Sequence, residues 1–412
     1  FWQVCPRSCP DNYSANPIQL EFLSKPTLFP SASGPVDLLV VAGEASGDEH
    51  AARLVKDLKS KYPDLRISSL GGEELIRAGA EQVFSLANHA VVGLIEVIKN
   101  YSLFRNLFKQ TLDWIEEARP RCVLLVDYPG FNLRLAHALK ERGISCKGGG
   151  STVVLQYVSP QLWAWKPGRR FRMAEILDGL GIIFPFEKKC YADVSLPVSF
   201  VGHPFAHPSY QSTVSYDPSG ELLLLPGSRL QPVSRILPVF LDAFEELLTG
   251  DSDLQGIIPV AGPNLRCLVE SLVNERADIR QKIRIVDRTG SLPARAALMS
   301  SGTMSLACAW AGVPGVIGYR AHPITYWIGK CLVGVPHLGM ANLLLPENPP
   351  NPEFLQGQAT GKILAREMIP LLNDPDASGK QATKTANQLH KLLAQPESRG
   401  AVDWLVQEGK LG

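Results

Sequence analysis

One repeating pattern constrains this chain more than any other. A short unbroken apolar run ends in a glycine or aspartate turn, and a helical pattern follows. "VDLLVVAG" (36–43) is the first such run, continuous rather than alternating, as a strand buried on both faces must be. After it Ala51, Leu54, Val55 and Leu58 share one helical face, and Ser46 and Glu49 have capping-box spacing at its start. "RCVLLVDYPGF" (121–131), "TVVLQYVSP" (152–160), "GLGIIFPFE" (179–187) and "VSFVGHP" (198–204) repeat the strand pattern. Leu103, Leu107, Leu112 and Ile115 mark a helix between two of them. Strand–helix alternation of this kind predicts an α/β fold with a doubly wound parallel sheet.

The pattern lapses over residues 203–220, which are rich in Pro, Ser and Tyr, and restarts at "ELLLLPGSR" (221–229). Val233, Ile236, Leu237, Phe240, Leu241 and Phe244 then form a helical face, with Pro238 expected to kink or delay that helix. "GIIPVAG" (256–262), "KIRIVD" (282–287) and "GVPGVIGYR" (312–320) are further strands. A chain of 412 residues is long enough for two such domains. The expected organisation is a leader (1–34), a first domain (35–205), a linker (206–220), a second domain (221–375) and a helical tail (376–412). Ligands of such sheets sit beyond the carboxyl ends of the strands, so the cleft between the domains is the expected site.

Composition narrows the partners. A formal net charge of +1 gives no reason to expect nucleic acid. No apolar run approaches the ~18 residues of a membrane-spanning helix, so membrane contact is expected to be peripheral. The eight cysteines are scattered, which suits reduced thiols, and no metal site is expected. Residues 1–34 are Ser/Pro-rich with two acidic residues, Asp11 and Glu21. That composition fits an organellar targeting leader or a disordered tail.

Two short motifs in the second half suit a diphosphate. "LPGSR" carries Ser228 and Arg229, and "SSGT" places Ser301, Gly302 and Thr303 before a short helix. Helix N-termini offer unpaired N–H groups, and arginine binds phosphate bidentately. The first half differs: Glu44, Asp48 and Asp127 stand at strand ends, with Asn132 close behind. Asp127 in "DYPGF" suits a turn or cap as well as a general base, and the residues alone leave both open. "YVSPQLWAWKPGRRFRMAE" (157–175) joins Trp163 and Trp165 to Lys166, Arg169, Arg170 and Arg172. It reads as a solvated basic face, or as a site for an acceptor phosphate or an anionic membrane. "HAVVGLIEVIKNYSLFRNLF" (89–108), which includes Glu96, is either a buried helix or a groove for acyl chains.

Taken in order, "AGEASGDEHAARL", "VVGLIEV", "LLVDYPGFN", "YVSPQLWAWKPGR", "FPFEKKCY", "FVGHP", "LLPGSR", "SSGT" and "ANLLLPE" resemble the lipid-A-disaccharide synthases. These are inverting glycosyltransferases of the two-domain GT-B architecture, and the resemblance spans about residues 36–375. It implies transfer of acylated glucosamine from UDP-2,3-diacylglucosamine to the 6-hydroxyl of 2,3-diacylglucosamine 1-phosphate, without metal or cofactor. It implies Asp127 as general base. Ser228, Arg229, Ser301, Gly302, Thr303 and Asn342 fall on the donor side. Glu44, Ser46, Asp48, Glu96, Asn132, Trp163, Trp165, Arg169 and Arg170 fall on the acceptor and lipid side. It also implies a peripheral membrane enzyme, a homodimer with exchanged C-terminal segments and, with the leader, a mitochondrial location, with chloroplast or cytoplasm as alternatives. The chain departs from the family pattern at Ala307, where SGTxxLE has glutamate, and at Pro232 after LPGSR. "SLPARAALM" (291–299) is too short for a helix plus a strand, so the strand before SSGT is expected to be curtailed. "KGGGSTVV" (147–154) reads as a small insertion. Another UDP-sugar enzyme of the same architecture, such as a peptidoglycan-type N-acetylglucosaminyltransferase or an epimerase, explains LPGSR and SSGT but not "YVSPQLWAW". A non-catalytic lipid- or nucleotide-binding descendant is a further alternative. A nicotinamide oxidoreductase is disfavoured because the first strand lacks G-x-G-x-x-G.

Overall fold

The computed structural model describes residues 29–32, 34–86, 101–287, 290–300, 302–321, 335–394 and 400–412. The first half builds a seven-stranded parallel sheet in the order β3-β2-β1-β4-β5-β6-β7. Its strands are β1 (Leu38–Ala42), β2 (Ile67–Gly71), β3 (Glu81–Ser85), β4 (Cys122–Val126), β5 (Val153–Tyr157), β6 (Gly179–Ile182) and β7 (Val198–Phe200). Between them run α1 (Ala45–Lys61), α2 (Glu73–Arg77), α3 (Tyr101–Ala118), α4 (Pro129–Glu141) and α5 (Arg169–Ile176). Every residue of β1 is buried, and alternate side chains serve opposite layers. Leu38, Val40 and Ala42 pack in one apolar cluster with Leu54, Val55 and Leu58 of α1. Leu39 and Val41 share the other with Leu112 and Ile115 of α3 and Leu135 of α4. The unbroken apolar run is thus the consequence of helices on both faces.

The second half is a six-stranded parallel sheet in the order β10-β9-β8-β11-β12-β13. It comprises β8 (Val214–Leu225), β9 (Gly256–Val260), β10 (Ile283–Asp287), β11 (Leu292–Met299), β12 (Gly315–Tyr319) and β13 (Glu353–Leu355). Its helices are α6 (Leu230–Leu248), α7 (Pro263–Asn274), α8 (Thr303–Trp310), α9 (Met340–Leu344) and α10 (Gly361–Asn373). Leu222, Leu224, Ile258 and Leu298 pack under Phe240 and Phe244 of α6 and Leu364 of α10. Two helices close the chain: α11 (Pro375–Leu393) and α12 (Ala401–Glu408). The tail is more than an appendage. Trp404 of α12 is 2% exposed and lies in the apolar cluster of the first sheet, its ring against Gly181 of β6.

Several expectations need correction. Val214, not Glu221, opens the second sheet, so part of the expected linker is strand. Residues 216–220 bulge out between the pairs Ser215↔Pro293 and Glu221↔Ala294, and Tyr216 there packs against Gly379 of α11. The 291–299 segment gives a full eight-residue strand, β11, in the middle of the sheet. What the chain lacks is a crossover helix, since only residues 288–291 separate β10 from β11, where parallel strands usually need a dozen residues or more. α6 runs through Pro238 without interruption. The helix after β1 starts at Ala45 with Glu44 at its N-cap, so Ser46 lies inside the first turn and no Ser46–Glu49 box forms. The end of the leader also belongs to the fold: Phe29 stacks on Phe84 at 5.2 Å, and the Trp114 indole donates to the Pro30 carbonyl at 2.9 Å. The "KGGG" stretch closes as a tight 3-10 turn bridged by Ser145 and Thr152.

Candidate active site

Each sheet reverses its strand order once. In the first, the chain winds outward from β1 through β2 and β3, then outward the other way from β4. The loops after β1 and β4 therefore lie side by side at the carboxyl edge of the sheet, where ligands of such folds bind. Those loops carry Glu44 and Asp127. They also touch: a Cβ on Gly43 would run into the Tyr128 ring, and one on Gly47 would lie 3.9 Å from Asp127 Cβ. The glycines of "GEASGD" thus let one loop close on the other.

Asp127 is held in an unusual backbone. Its φ is +48° and that of Tyr128 is +42°, two successive left-handed residues without a glycine. Such conformations cost about 1–3 kcal/mol each and persist only where neighbours fix them. Here the fixing is visible. The Asp127 N–H donates to the Tyr157 carbonyl at 3.0 Å. Its carbonyl accepts from Asn132 Nδ2 at 2.8 Å and from Gln156 Nε2 at 3.1 Å. The carboxyl group lies within reach of the Glu44 charge. Burial, and then the Glu44 carboxylate, push it above the ordinary carboxylate range, opposed by a hydrogen bond from the Tyr128 N–H. A desolvated carboxylate beside a second negative charge holds a proton more tightly than aspartate does in water, which is what a general base at neutral pH requires.

The other first-domain candidates divide. Glu44 is half-buried and acts on Asp127 and Tyr128 through its charge. Ser46 is exposed at the rim. Asp48 is 4% exposed, its carboxylate turned to the start of α2. Its two oxygens accept from the Gly72 N–H at 2.7 Å and the Glu74 N–H at 3.0 Å, which caps α2. Asn132 is buried and serves the Asp127 backbone rather than a ligand. Glu96, with most of the 89–108 stretch, lies outside the described residues. Gln156 escaped the sequence reading, although a lone polar side chain inside a buried apolar strand was its signal.

The second sheet reverses between β8 and β11, and the two Gly/Ser motifs follow those two strands. They meet there: Ser300 donates its N–H to the Leu225 carbonyl at 2.9 Å, and its Oγ lies 3.4 Å from where a Gly227 Cβ would be. Gly227 and Gly302 have φ of +116° and +133°, conformations open to glycine and strained for other residues. Ser228, Arg229, Gly302 and Thr303 are all exposed, with Arg229 at the N-cap of α6 and Gly302 at that of α8. Ser301 is outside the described residues. Asn342 does not join them. It is fully buried, its Nδ2 donating to the Asn351 carbonyl and to Glu353 at 2.6 Å each, so it fastens a loop. Ala307 is 2% exposed in an apolar cluster with Leu306, Ala309 and Ala341, and supplies no carboxylate on α8.

Trp163 and Trp165 lie in a loop, as expected, and Arg169, Arg170 and Arg172 lie on α5, which follows it. Trp163 sits over a hollow of about 530 Å³ that Leu162, Ala164 and Pro167 line together with the charged Arg170, Lys189 and Asp193. Its indole N–H faces Glu187 without closing a well-formed hydrogen bond. Burial drives Glu187 up to about 8, countered by N–H groups of Phe184 and Ile183. Trp165 and Phe171 are exposed, at 37% and 51%. Arg169 is half-buried with no ion pair among the described residues. Arg170 instead grips Asp193 with two bonds of 2.6 Å, a structural clamp rather than a phosphate ligand.

Comparison with known proteins bears on the family and the fold. The model of the lipid-A-disaccharide synthetase family matches residues 38–406. A lipid-A-disaccharide synthase of Nitrosococcus oceani is 34% identical over 367 residues, 86% of this chain and 92% of that protein. One from Coxiella burnetii is 36% identical over 349 residues, 82% of this chain and 89% of that protein. Among solved structures, a UDP-GlcNAc 2-epimerase from Neisseria meningitidis bound to UDP-GlcNAc superposes with a TM-score of 0.57 at 14% identity, over 91% of this chain and all of that one, a likeness of fold alone. With a family match across nearly all of both domains, this chain belongs to the lipid-A-disaccharide synthases, glycosyltransferases built on two doubly wound domains.

Proposed function

We propose that this chain transfers 2,3-diacylglucosamine from its UDP donor to the 6-hydroxyl of 2,3-diacylglucosamine 1-phosphate, with inversion and release of UDP. The observation that carries this reading is the division of chemistry between the two switch points. The first offers a half-buried carboxylate with raised proton affinity, Asp127, and the second offers paired Gly/Ser loops with an exposed arginine, Arg229. In the reaction Asp127 takes the proton of the acceptor 6-hydroxyl while that oxygen attacks the anomeric carbon. The bond from that carbon to the diphosphate oxygen breaks, and its electron pair leaves with UDP. Arg229 and the N–H groups at the starts of α6 and α8 stabilise the charge that gathers on the diphosphate.

The acyl chains and the bilayer belong to the Trp/Arg segment. The hollow at Trp163 supports a role for it in receiving an acyl chain. Exposed Trp165 and Phe171, next to Lys166, Arg169 and Arg172, fit a peripheral anchor at an anionic surface. We also place the chain in the mitochondrion, on the composition of its leader, and in a homodimer that exchanges its C-terminal segment. Exchange would put the Trp404 contact between two copies instead of within one. The test is to incubate purified protein with UDP-2,3-diacylglucosamine and 2,3-diacylglucosamine 1-phosphate and to follow disaccharide 1-phosphate and UDP together. Equal yields of the two support the reading. Turnover confined to non-acylated UDP sugars overturns it.

A further inference from the structure

The carboxyl ends of β4 and β5 share a backbone irregularity. Asp127 and Tyr128 are left-handed after β4, and Val158 is left-handed after β5, with φ of +68°. A β-branched residue in that region is an outlier that its surroundings must hold. One buried amide reaches both places. Gln156 of β5 is fully buried, and its Nε2 donates to the Asp127 carbonyl at 3.1 Å and to the Val158 carbonyl at 3.2 Å. Its Oε1 is buried without a hydrogen-bond partner among the described residues. Asn132 is arranged in the same way. It is fully buried, its Nδ2 donates to the Asp127 carbonyl at 2.8 Å, and its Oδ1 has no partner among the described residues. An orphaned buried acceptor is a cost to the fold, so neither amide is there for its oxygen. What both supply is donors to one carbonyl.

The Asp127 carbonyl and the Tyr128 N–H belong to one planar peptide group. Whatever fixes the carbonyl therefore fixes the direction of that N–H, which donates to the Asp127 carboxyl group. Donors on the carbonyl also polarise the group and strengthen its N–H. We propose that Gln156 is a positioning residue for Asp127: with Asn132 it clamps the 127–128 peptide against the end of β5, so that the Tyr128 N–H stays on the Asp127 carboxyl group. Being fully buried, Gln156 acts through Asp127 rather than on a substrate. The consequence for catalysis rests on the reading of Asp127 as the base. Burial and the Glu44 charge push the proton affinity of Asp127 up, and the Tyr128 N–H opposes them. Loss of that N–H should raise the affinity further and move the acid limb of kcat/KM to higher pH.

Gln156→Met tests this, because it keeps the length of the side chain and removes the donors together with the orphaned oxygen. In disaccharide synthesis kcat should fall at least about tenfold, and the acid limb should move upward. The melting temperature should stay close to the parent's. Gln156→Leu covers the case in which Gln156→Met fails to fold. A second readout needs no turnover: the Asp127 carboxyl carbon is titrated by NMR in protein labelled with carbon-13 aspartate, its signal identified by its absence in Asp127→Asn. That carbon should titrate at higher pH in the folded Gln156 variant than in the parent. An unmoved carboxyl titration in a folded variant overturns the proposal, as does a kcat that falls only in step with stability. Full activity in Asp127→Asn overturns the reading of Asp127 as the base instead, and the carboxyl titration then still decides whether Gln156 positions that group.

Discussion

Replacing Asp127 by asparagine isolates the proposed base from its scaffold. Asparagine tolerates the left-handed φ of +48° about as well as aspartate, whereas alanine there pays roughly 1–2 kcal/mol of steric cost. The backbone bonds to Tyr157, Asn132 and Gln156 do not involve the side chain and survive. The stability effect has a definite sign. The folded-state proton affinity of Asp127 is raised, so its contribution favours folding at low pH and is lost as pH rises above the unfolded value. A neutral amide removes that loss, so Asp127→Asn should be at least as resistant to unfolding at pH 7 as the parent. Activity should move the other way. A general base contributes about 10²–10⁴ in rate, equivalent to ~3–5 kcal/mol of barrier, and kcat should fall by that factor. Steady-state disaccharide formation and thermal unfolding of the same preparations read both quantities. The reasoning is refuted if kcat changes by less than about threefold, or if the rate falls only in step with lost stability. In the parent, the acid limb of kcat/KM should lie above the pH of an ordinary carboxylate. Glu44→Gln should move it down without bringing it fully back, because burial outranks the Glu44 charge as a cause.

Three other outcomes follow from single contacts. Arg229 is exposed with no ion pair among the described residues, so Arg229→Ala should leave the melting temperature unchanged while kcat/KM for the UDP donor falls about 10–100-fold, the worth of a charge-assisted hydrogen bond. Gly43→Ala should cost ~1–3 kcal/mol and lower kcat by displacing Tyr128. The double variant Gly43→Ala/Tyr128→Ser should regain most of that stability, and additive losses in urea titrations would show that the ring is not the obstacle. Glu187 has its proton affinity raised from 4.5 to about 8 by burial, so its contribution is intact below pH 4.5 and lost as pH rises through about 8. Glu187→Gln should flatten the melting temperature across that window and stabilise the protein at its alkaline end, by no more than about 5 kcal/mol. An unchanged slope would mean that the carboxyl group is already neutralised by another route.

The strands were legible because their physics is local. Helices on both faces of a parallel sheet demand continuous apolar runs, and "VDLLVVAG" or "RCVLLVDYPGF" satisfies that demand within one stretch of chain. The errors came where a long-range partner decides. Asp48 reads as a cleft carboxylate until the fold brings the Gly72 and Glu74 N–H groups to it. Asn342, in a motif that resemblance assigns to the donor, has its side chain consumed by Asn351 and Glu353. The tail reads as an appendage because nothing in "AVDWLVQEG" says that Trp404 will meet Gly181 of β6. The pairing of the strand-end loops was legible for a reason of topology. A reversal in strand order at β1/β4 and again at β8/β11 brings four strand-end loops together in two pairs. Each loop is itself a short, recognisable stretch: "GEASGD" with "DYPGFN", and "LPGSR" with "SSGT". The carboxylates sort to one pair and the glycine-framed arginine to the other, so the proposed base and the proposed diphosphate ligand sit on separate sheets. In the proposed reaction that separation keeps the acceptor proton and the departing diphosphate from competing for the same charges.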